Sequence, residues 1–331
     1  MRHLRPRAIR HFLSLLIFAM LNLFSCSREQ DPSFIATDLG SVGNAEVANS
    51  FEQFKMRAGD CQGATSLPRA IVTGFGLFSG ASYNISGVVV ESLSLPELTS
   101  SLIDLDNFSR TVTLSSKVAS GTLSAQDSGA RTRVRTMQID GQSAEVCFIL
   151  LDVKWDLAAA IIIRQMQIFQ PRAVLMTGRG GSDARYEVAS LNQTMGYAGF
   201  DHSGVYAENN SPKSAEIVSG GPSSLTMSWH AVQRQNATEA LIRRLGYAAA
   251  TSNGARSDNT YICNNVSYAV LFAATGQKIA LAGGKITLDG SDTDAQIGFF
   301  HYPAAAEKTS HEVDLWSRVL ANNLLGMLRL I

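Results

Sequence analysis

The chain has 331 residues, 45% of them apolar and 17% charged, with 28 basic and 28 acidic side chains that balance to a formal charge of zero. Such a composition is globular, supports one large or two modest domains, and excludes disorder along the whole chain. Residues 1–25 hold four Arg and no acids, so without them 24 basic residues face 28 acidic ones, a balance with no electrostatic footprint for nucleic acid.

Arg2, Arg5, Arg7 and Arg10 precede an apolar run, Phe12–Leu21, that is too short for a comfortable membrane span. The run ends in Leu23-Phe24-Ser25-Cys26, which resembles the lipobox of bacterial lipoproteins. That resemblance implies a signal peptide over 1–25 and lipidation of Cys26 as the first mature residue. It also implies an extracytoplasmic place in the cell envelope, anchored on the periplasmic face of the outer membrane. Ordinary signal cleavage and an uncleaved anchor are the competing readings. Residues 26–66, rich in Ser, Asp, Asn, Gly and Gln, read as a tether with a short helix near Glu46–Met56, and an α/β domain is expected over 67–331.

In chain order, Arg69–Thr73 reads as a strand running into a glycine-aromatic loop, Gly74-Phe75-Gly76-Leu77-Phe78-Ser79-Gly80. With no Lys-Ser/Thr end this loop is a poor phosphate cradle, and Phe75 and Phe78 suit an apolar pocket or a core seal. Period-two alternation within 100–143 predicts an antiparallel hairpin turning at Asp140-Gly141. Val146–Leu151 and Ala173–Thr177 are continuous apolar runs, as in strands buried on both faces, with a helix over Asp156–Phe169 between them. This strand–helix–strand rhythm predicts an α/β fold: a single domain with a mixed, largely parallel sheet flanked by helices on both faces. A second helix is expected over Ala231–Leu245, a short strand at Lys278–Ala282 and an apolar strand at Ile297–Pro303. A final helix opens with the capping box Thr309-Ser310-His311-Glu312, its buried stripe being Val313, Trp316, Leu320, Leu324 and Met327.

Tyr261-Ile262-Cys263-Asn264 carries the candidate chemistry. Cys263 follows a β-prone tripeptide and opens a helix running to about Ala274, where unsatisfied N–H groups and the helix dipole favour a thiolate. The competing reading is a buried structural Cys. Cys61 and Cys147 are the other cysteines after Cys26; pairing them would spare Cys263, although all three could be free, and no Cys/His spacing suggests zinc. Of the four His beyond residue 25, His311 sits in the capping box, His230 opens a helix and His202 lies in a loop. His301 ends an apolar strand, where a buried ring must find partners.

Together these motifs resemble pyroglutamyl peptidase I, a cysteine exopeptidase family that removes N-terminal pyroglutamate. The resemblance runs from about residue 69 to the C-terminus. It rests on Gly74–Gly80 with Asn84 and Ser86, Leu151–Trp155, Gly178–Gly181, and Glu187 with Val188, Ala189 and Asn192. Gly220-Gly221-Pro222, Tyr261–Asn264 and Gly298–Pro303 complete it. It implies Cys263 as nucleophile, His301 as general base and acid, and Glu187 as the orienting carboxylate. Phe75 and Phe78 would line the pocket, with Asn84 and Arg179 beside the substrate. No cofactor or metal is implied.

The chain departs from the family at the substrate end. The family's Gly-Gln-Ala-Gly-Gly-Arg loop is here Gly178-Arg179-Gly180-Gly181-Ser182-Asp183, which lies closer to Glu187. Tyr197 and its neighbours occupy a region where the family carries an arginine, Asp258-Asn259 replaces Ala-Gly, Asp152 replaces a proline, and 100–143 is longer. Arg179 puts a fixed cation where an amide would sit, which would suit an acidic or differently charged substrate. The expected activity is removal of N-terminal pyroglutamyl or related residues from a peptide substrate through a Cys263 thioester. A non-catalytic binding lipoprotein on the same fold, or a cysteine hydrolase of other specificity, are the alternatives.

Overall fold

The structure is a computed structural model and describes residues 38–57, 59–64, 66–77, 83–94, 130–139, 142–194, 215–229, 235–252, 254–307 and 309–329. Eleven strands occur among these residues: β1 (Arg69–Phe75), β2 (Arg131–Ile139), β3 (Gln142–Leu151), β4 (Ala173–Arg179), β5 (Ala184–Glu187), β6 (Ala189–Leu191), β7 (Ser224–Thr226), β8 (Ala249–Thr251), β9 (Ile279–Leu281), β10 (Ile286–Leu288) and β11 (Gln296–Tyr302). Six helices accompany them: α1 (Gly40–Arg57), α2 (Ile85–Ser94), α3 (Leu157–Phe169), α4 (Gln235–Arg244), α5 (Ile262–Ala273) and α6 (Ser310–Arg329). Seven strands form one sheet in the order β2-β3-β1-β4-β11-β5-β8, and β9–β10 and β6–β7 are separate two-stranded pairs.

The sheet is α/β in kind, mixed and largely parallel. β1 pairs in parallel with β3 and β4, β4 with β11, and β5 with β8, while β2–β3 and β5–β11 are antiparallel. Its two faces can be read from the apolar alternation of the central strands. Ile71, Ile149, Val174, Met176, Ile297 and Phe299 join one core with α3 and α5, while Val72, Phe148, Leu175, Phe300 and Tyr302 join a second core with α2 and α6. Because side chains on a strand alternate, this division assigns every inward residue to one face or the other. The expected stripe of α6 is buried at all five of its positions, and the Glu312 N–H donates to Thr309 Oγ1 at 3.3 Å.

The N-terminal part differs from the expected tether. From residue 38 the described chain belongs to the same compact unit as the sheet, and α1 packs on α3 with Val47, Phe51 and Phe54 buried. Burying such side chains contributes roughly 1.5–3 kcal/mol each, which a polar average over residues 26–66 hides. Asp60 then forms an ion pair with Arg164 on α3 at 2.9 Å, and the Cys61 N–H donates to Gln165 Oε1 at 2.7 Å. Cys61 is disulfide-bonded to Cys147 in the middle of β3, with both residues at zero exposure, and Cys263 is the free cysteine of the described part. Residues 95–129, which include most of the long segment after α2, and Cys26 lie outside the described residues.

The bridge closes a separation of 86 residues in sequence. Replacing both Cys61 and Cys147 by Ala is expected to cost about 2–5 kcal/mol of stability, as read from urea unfolding. A non-reducing peptide map should show the 61–147 linkage; a free Cys147 thiol would refute it.

Candidate active site

Glu187, His301 and Cys263 come together on the α3/α5 face of the sheet. On β11, Phe300 and Tyr302 point to the opposite core, so His301 shares the face of Phe299. On β5, Tyr186 belongs to the opposite core, which puts Glu187 on the His301 face as well. Antiparallel register sets Phe299 opposite Glu187 and His301 opposite Arg185, so Glu187 reaches His301 along the diagonal. His301 Nδ1 lies 3.0 Å from Glu187 Oε1, with His301 5% and Glu187 1% exposed.

Cys263 comes from above this face, at the second position of α5, because the helix starts at Ile262, two residues before the expected Asn264. Its side chain is half-buried, and its sulfur and the Cδ2 edge of the His301 ring flank one point beside Gly178, 2.8 and 3.4 Å from where a Cβ there would lie. The start of α5 is pinned by three sets of contacts. Asn264 exchanges hydrogen bonds with the Leu191 backbone at 2.9 and 2.8 Å and donates to the Gln193 carbonyl at 2.8 Å. Asn265 donates to the buried Asp156 carboxylate at 3.1 Å, and Ser267 Oγ donates to the Cys263 carbonyl at 2.8 Å. Tyr261 packs edge-on against the buried Trp155, ring centroids 5.3 Å apart.

Two glycines of the Gly178–Gly181 loop leave room for the pair. A Cβ at Gly178 would lie 2.8 Å from Cys263 Sγ, and one at Gly180 would lie 2.8 Å from His301 Cβ. Both are closer than real Cβ contacts allow, so this loop serves close approach of a sulfur and a ring.

The electrostatics of the three groups are coupled. Burial alone would lower the His301 value, but the neighbouring Cys263 and the Glu187 carboxylate outweigh it and push His301 up to about 9. Burial alone would raise Glu187; the hydrogen bond and charge of His301, and then Arg256, outweigh it and hold the carboxyl below its ordinary value. Arg256 Nη1 donates to Glu187 Oε1 at 3.1 Å and Arg256 Nη2 to Asp258 at 2.5 Å. Arg256 therefore anchors the Glu187 carboxylate from the loop before α5. No sequence pattern marks it, because its role depends only on where that loop folds back. The second Glu187 oxygen is buried without a hydrogen-bond partner.

A cavity of about 180 Å³ opens beside the sulfur, lined by Phe75, Tyr83, Asn84, Val153, Arg179, Tyr261, Ile262 and Cys263. Phe75, Asn84 and Arg179, the residues expected beside a substrate, thus share this cavity with Cys263. Phe78, Tyr197, His202 and His230 lie outside the described residues. Asn84 has a structural duty too, since its Oδ1 accepts from the Ser86 N–H and Oγ at the start of α2. Other motif residues hold the frame: Asn192 bonds the Ile217–Val218 backbone, and Tyr268 donates to the Pro222 carbonyl at 2.6 Å. Tyr83 and Val153 were not singled out in the sequence as lining residues. Among the described residues no group of three or more His, Cys, Asp or Glu gathers as metal ligands would.

No protein-family model matches this chain, and no curated protein matches it. Solved structures do. The chain is similar to pyroglutamyl peptidase I of Bacillus amyloliquefaciens at 15% identity, covering 79% of this chain and 97% of that one, with a TM-score of 0.49. Pyrrolidone carboxyl peptidase of Pyrococcus furiosus matches at 16% identity over 79% and 98%, TM-score 0.48. The Thermus thermophilus pyrrolidone carboxyl peptidase matches at 19% identity over 77% and 98%, TM-score 0.44. These are pyroglutamyl and pyrrolidone carboxyl peptidases, the group whose motifs the sequence resembles. At such values the likeness transfers no residue's role, and the chemistry of the site rests on its own geometry.

Because Cys263 and Glu187 both favour the imidazolium, His301 should stay protonated through neutral pH and lose its proton as pH rises through about 9. Glu187→Gln removes one of those two supports and should move the midpoint to lower pH. NMR titration of the His301 ring reads both; a wild-type midpoint near 6.5 would contradict the coupling.

Proposed function

We propose that the protein is a cysteine peptidase that removes a single N-terminal acyl residue, pyroglutamyl or a related one, from a peptide through a Cys263 thioester. The observation that carries this reading is a half-buried cysteine beside a buried His–Glu pair at the edge of a small, mainly apolar cavity. Three groups in that order are what an activated thiol needs: nucleophile, proton carrier and orienter. The cavity is smaller than the roughly 300 Å³ at which drug-sized pockets begin, so it suits one residue rather than a peptide stretch.

The steps follow from the geometry. The Cys263 thiolate adds to the scissile carbonyl, and the oxygen takes the negative charge. The Cys263 N–H, a first-turn donor of α5, is placed to share that charge. As the C–N bond breaks, His301 gives its Nε2 proton to the leaving amine, and a thioester remains. Now neutral, His301 takes a proton from an entering water, whose oxygen attacks the thioester; the acid departs and the thiolate–imidazolium pair is restored. Glu187 holds Nδ1–H throughout, fixing the tautomer and the ring plane.

The location is part of the proposal. A lipid on Cys26 at the cell envelope agrees with the basic start and short apolar run, and the Cys61–Cys147 disulfide supports an oxidising compartment.

With an aminomethylcoumarin amide panel, Cys263→Ala is expected to abolish turnover and Glu187→Gln to lower kcat about 100-fold with little change in KM. No turnover by wild type, together with alkylation of Cys263 no faster than a model thiol, would leave a binding protein on this fold. For the anchor, Cys26→Ala should end incorporation of labelled palmitate and release the protein from membranes; unchanged partitioning would argue against lipidation.

A further inference from the structure

We propose that the residue whose carbonyl Cys263 attacks carries a carboxylate, and that Arg179 binds it; the substrate class is an N-terminal acidic residue rather than a neutral lactam. The inference rests on the reading of Cys263 as nucleophile and narrows it.

Arg179 is the last residue of β4, one beyond the Gly178 that lies against the sulfur, and it pairs with Tyr302 while Gly178 pairs with His301. Its side chain lines the same cavity as Cys263. The guanidinium is fixed in place. Nε and Nη2 donate to the Ala304 carbonyl at 3.0 and 2.5 Å, Nη1 donates to the Tyr83 carbonyl at 3.4 Å, and the group lies 5.4 Å from the Tyr83 ring centroid. Three of five N–H donors are thereby committed, which leaves one on each terminal nitrogen.

Carbonyl dipoles orient this cation without neutralising it. Among the described residues no carboxylate forms an ion pair with Arg179. Asp183 pairs with Arg185, and Glu187 with His301 and Arg256. Glu307 and Glu312 act on the Tyr83 hydroxyl, and Glu312 accepts from Tyr247, Trp316 and the Glu307 N–H. A full positive charge thus sits in the wall of a cavity made chiefly of Phe75, Tyr83, Val153, Tyr261 and Ile262. Arg179 is half-buried, and a planar fork with two free N–H groups matches a carboxylate. A lactam offers one carbonyl acceptor and no charge, and it would leave the site unbalanced.

The experiment compares kcat/KM for aminomethylcoumarin amides of glutamate (α- and γ-linked), aspartate, glutamine and pyroglutamate, using wild type, Arg179→Gln and Arg179→Lys. Wild type should favour at least one carboxylate-bearing amide over the glutaminyl and pyroglutamyl amides by roughly 10- to 100-fold, the span of a charge-assisted pair. Arg179→Gln should erase or invert that preference while still turning over a neutral amide, which shows that the variant is folded; Arg179→Lys should keep part of it. A wild-type preference for pyroglutamyl, or a preference that Arg179→Gln leaves intact, would overturn the proposal and make Arg179 a strap between the Tyr83 and Ala304 segments. Calorimetric binding of glutarate and its neutral diamide to Cys263→Ala separates the two readings. If no amide is cleaved, glutarate binding at least tenfold tighter than the diamide, and lost on adding Arg179→Gln, still supports the carboxylate site while the nucleophile reading fails. Equal binding of the two ligands overturns the carboxylate site whatever the turnover shows.

Discussion

A carboxylate and an imidazole, 3.0 Å apart and almost wholly removed from water, set the terms for the rest of this molecule. Neither group tolerates burial alone. An isolated buried carboxylate would take up a proton, and an isolated buried imidazole would lose one. Each keeps its charge because of the other, and each has a further neighbour on its far side: Arg256 on Glu187, and Cys263 on His301. The result is a chain of interacting groups, Arg256–Glu187–His301–Cys263, that runs from a half-exposed loop to the mouth of a cavity. Removing any inner link would leave a buried charge unpaired, so the chain should behave as a unit rather than as a sum of pairs.

The sheet makes that chain possible by two simple devices. Strand alternation sends the large apolar side chains Phe300 and Tyr302 to one core and leaves His301 on the face toward α5. The antiparallel pairing of β5 with β11, in an otherwise largely parallel centre, brings Glu187 diagonally into reach. Gly178 at the end of β4 and Gly180 just beyond it supply the remaining condition, an absence of side chain where sulfur and imidazole approach. Arg179 departs from this economy. It is held by carbonyls beside the same sulfur, and among the described residues no acid neutralises it, so the charge chain and the cavity cation are separate electrostatic problems within one site.

The N-terminal extension has a structural role that its composition conceals. α1 lays Val47, Phe51 and Phe54 on the helix layer that carries α3, and the Cys61–Cys147 bridge ties the following segment to the centre of β3. α3 in turn packs on α5, and the buried Asp156 at its start accepts from Asn265 and from the Ala282 N–H at 2.7 Å. The position of α5, which carries Cys263, is therefore braced through α3.

Much of this was legible from local pattern. Continuous apolar runs separated by a helical segment are enough for a parallel centre, because a strand covered on both faces has no room for polar alternation. Cys263 at a helix start and His301 at the end of an apolar strand are likewise visible in the chain, as is the buried stripe of α6. Pattern could not see what depends on two distant segments meeting. Arg256 lies in an unremarkable loop, Tyr83 and Val153 reach the cavity only through the fold, and the α1 segment looked like a tether because a few buried aromatic residues among many polar ones carry little weight in an average. The sequence by itself determined which side chains were chemically capable and which strands had two covered faces, since both are local properties of residue type and spacing. Only the tertiary structure decided that Glu187, His301 and Cys263 share one face, and that among the described residues no acid pairs with Arg179 beside them, because register and loop return depend on contacts between residues far apart in the chain.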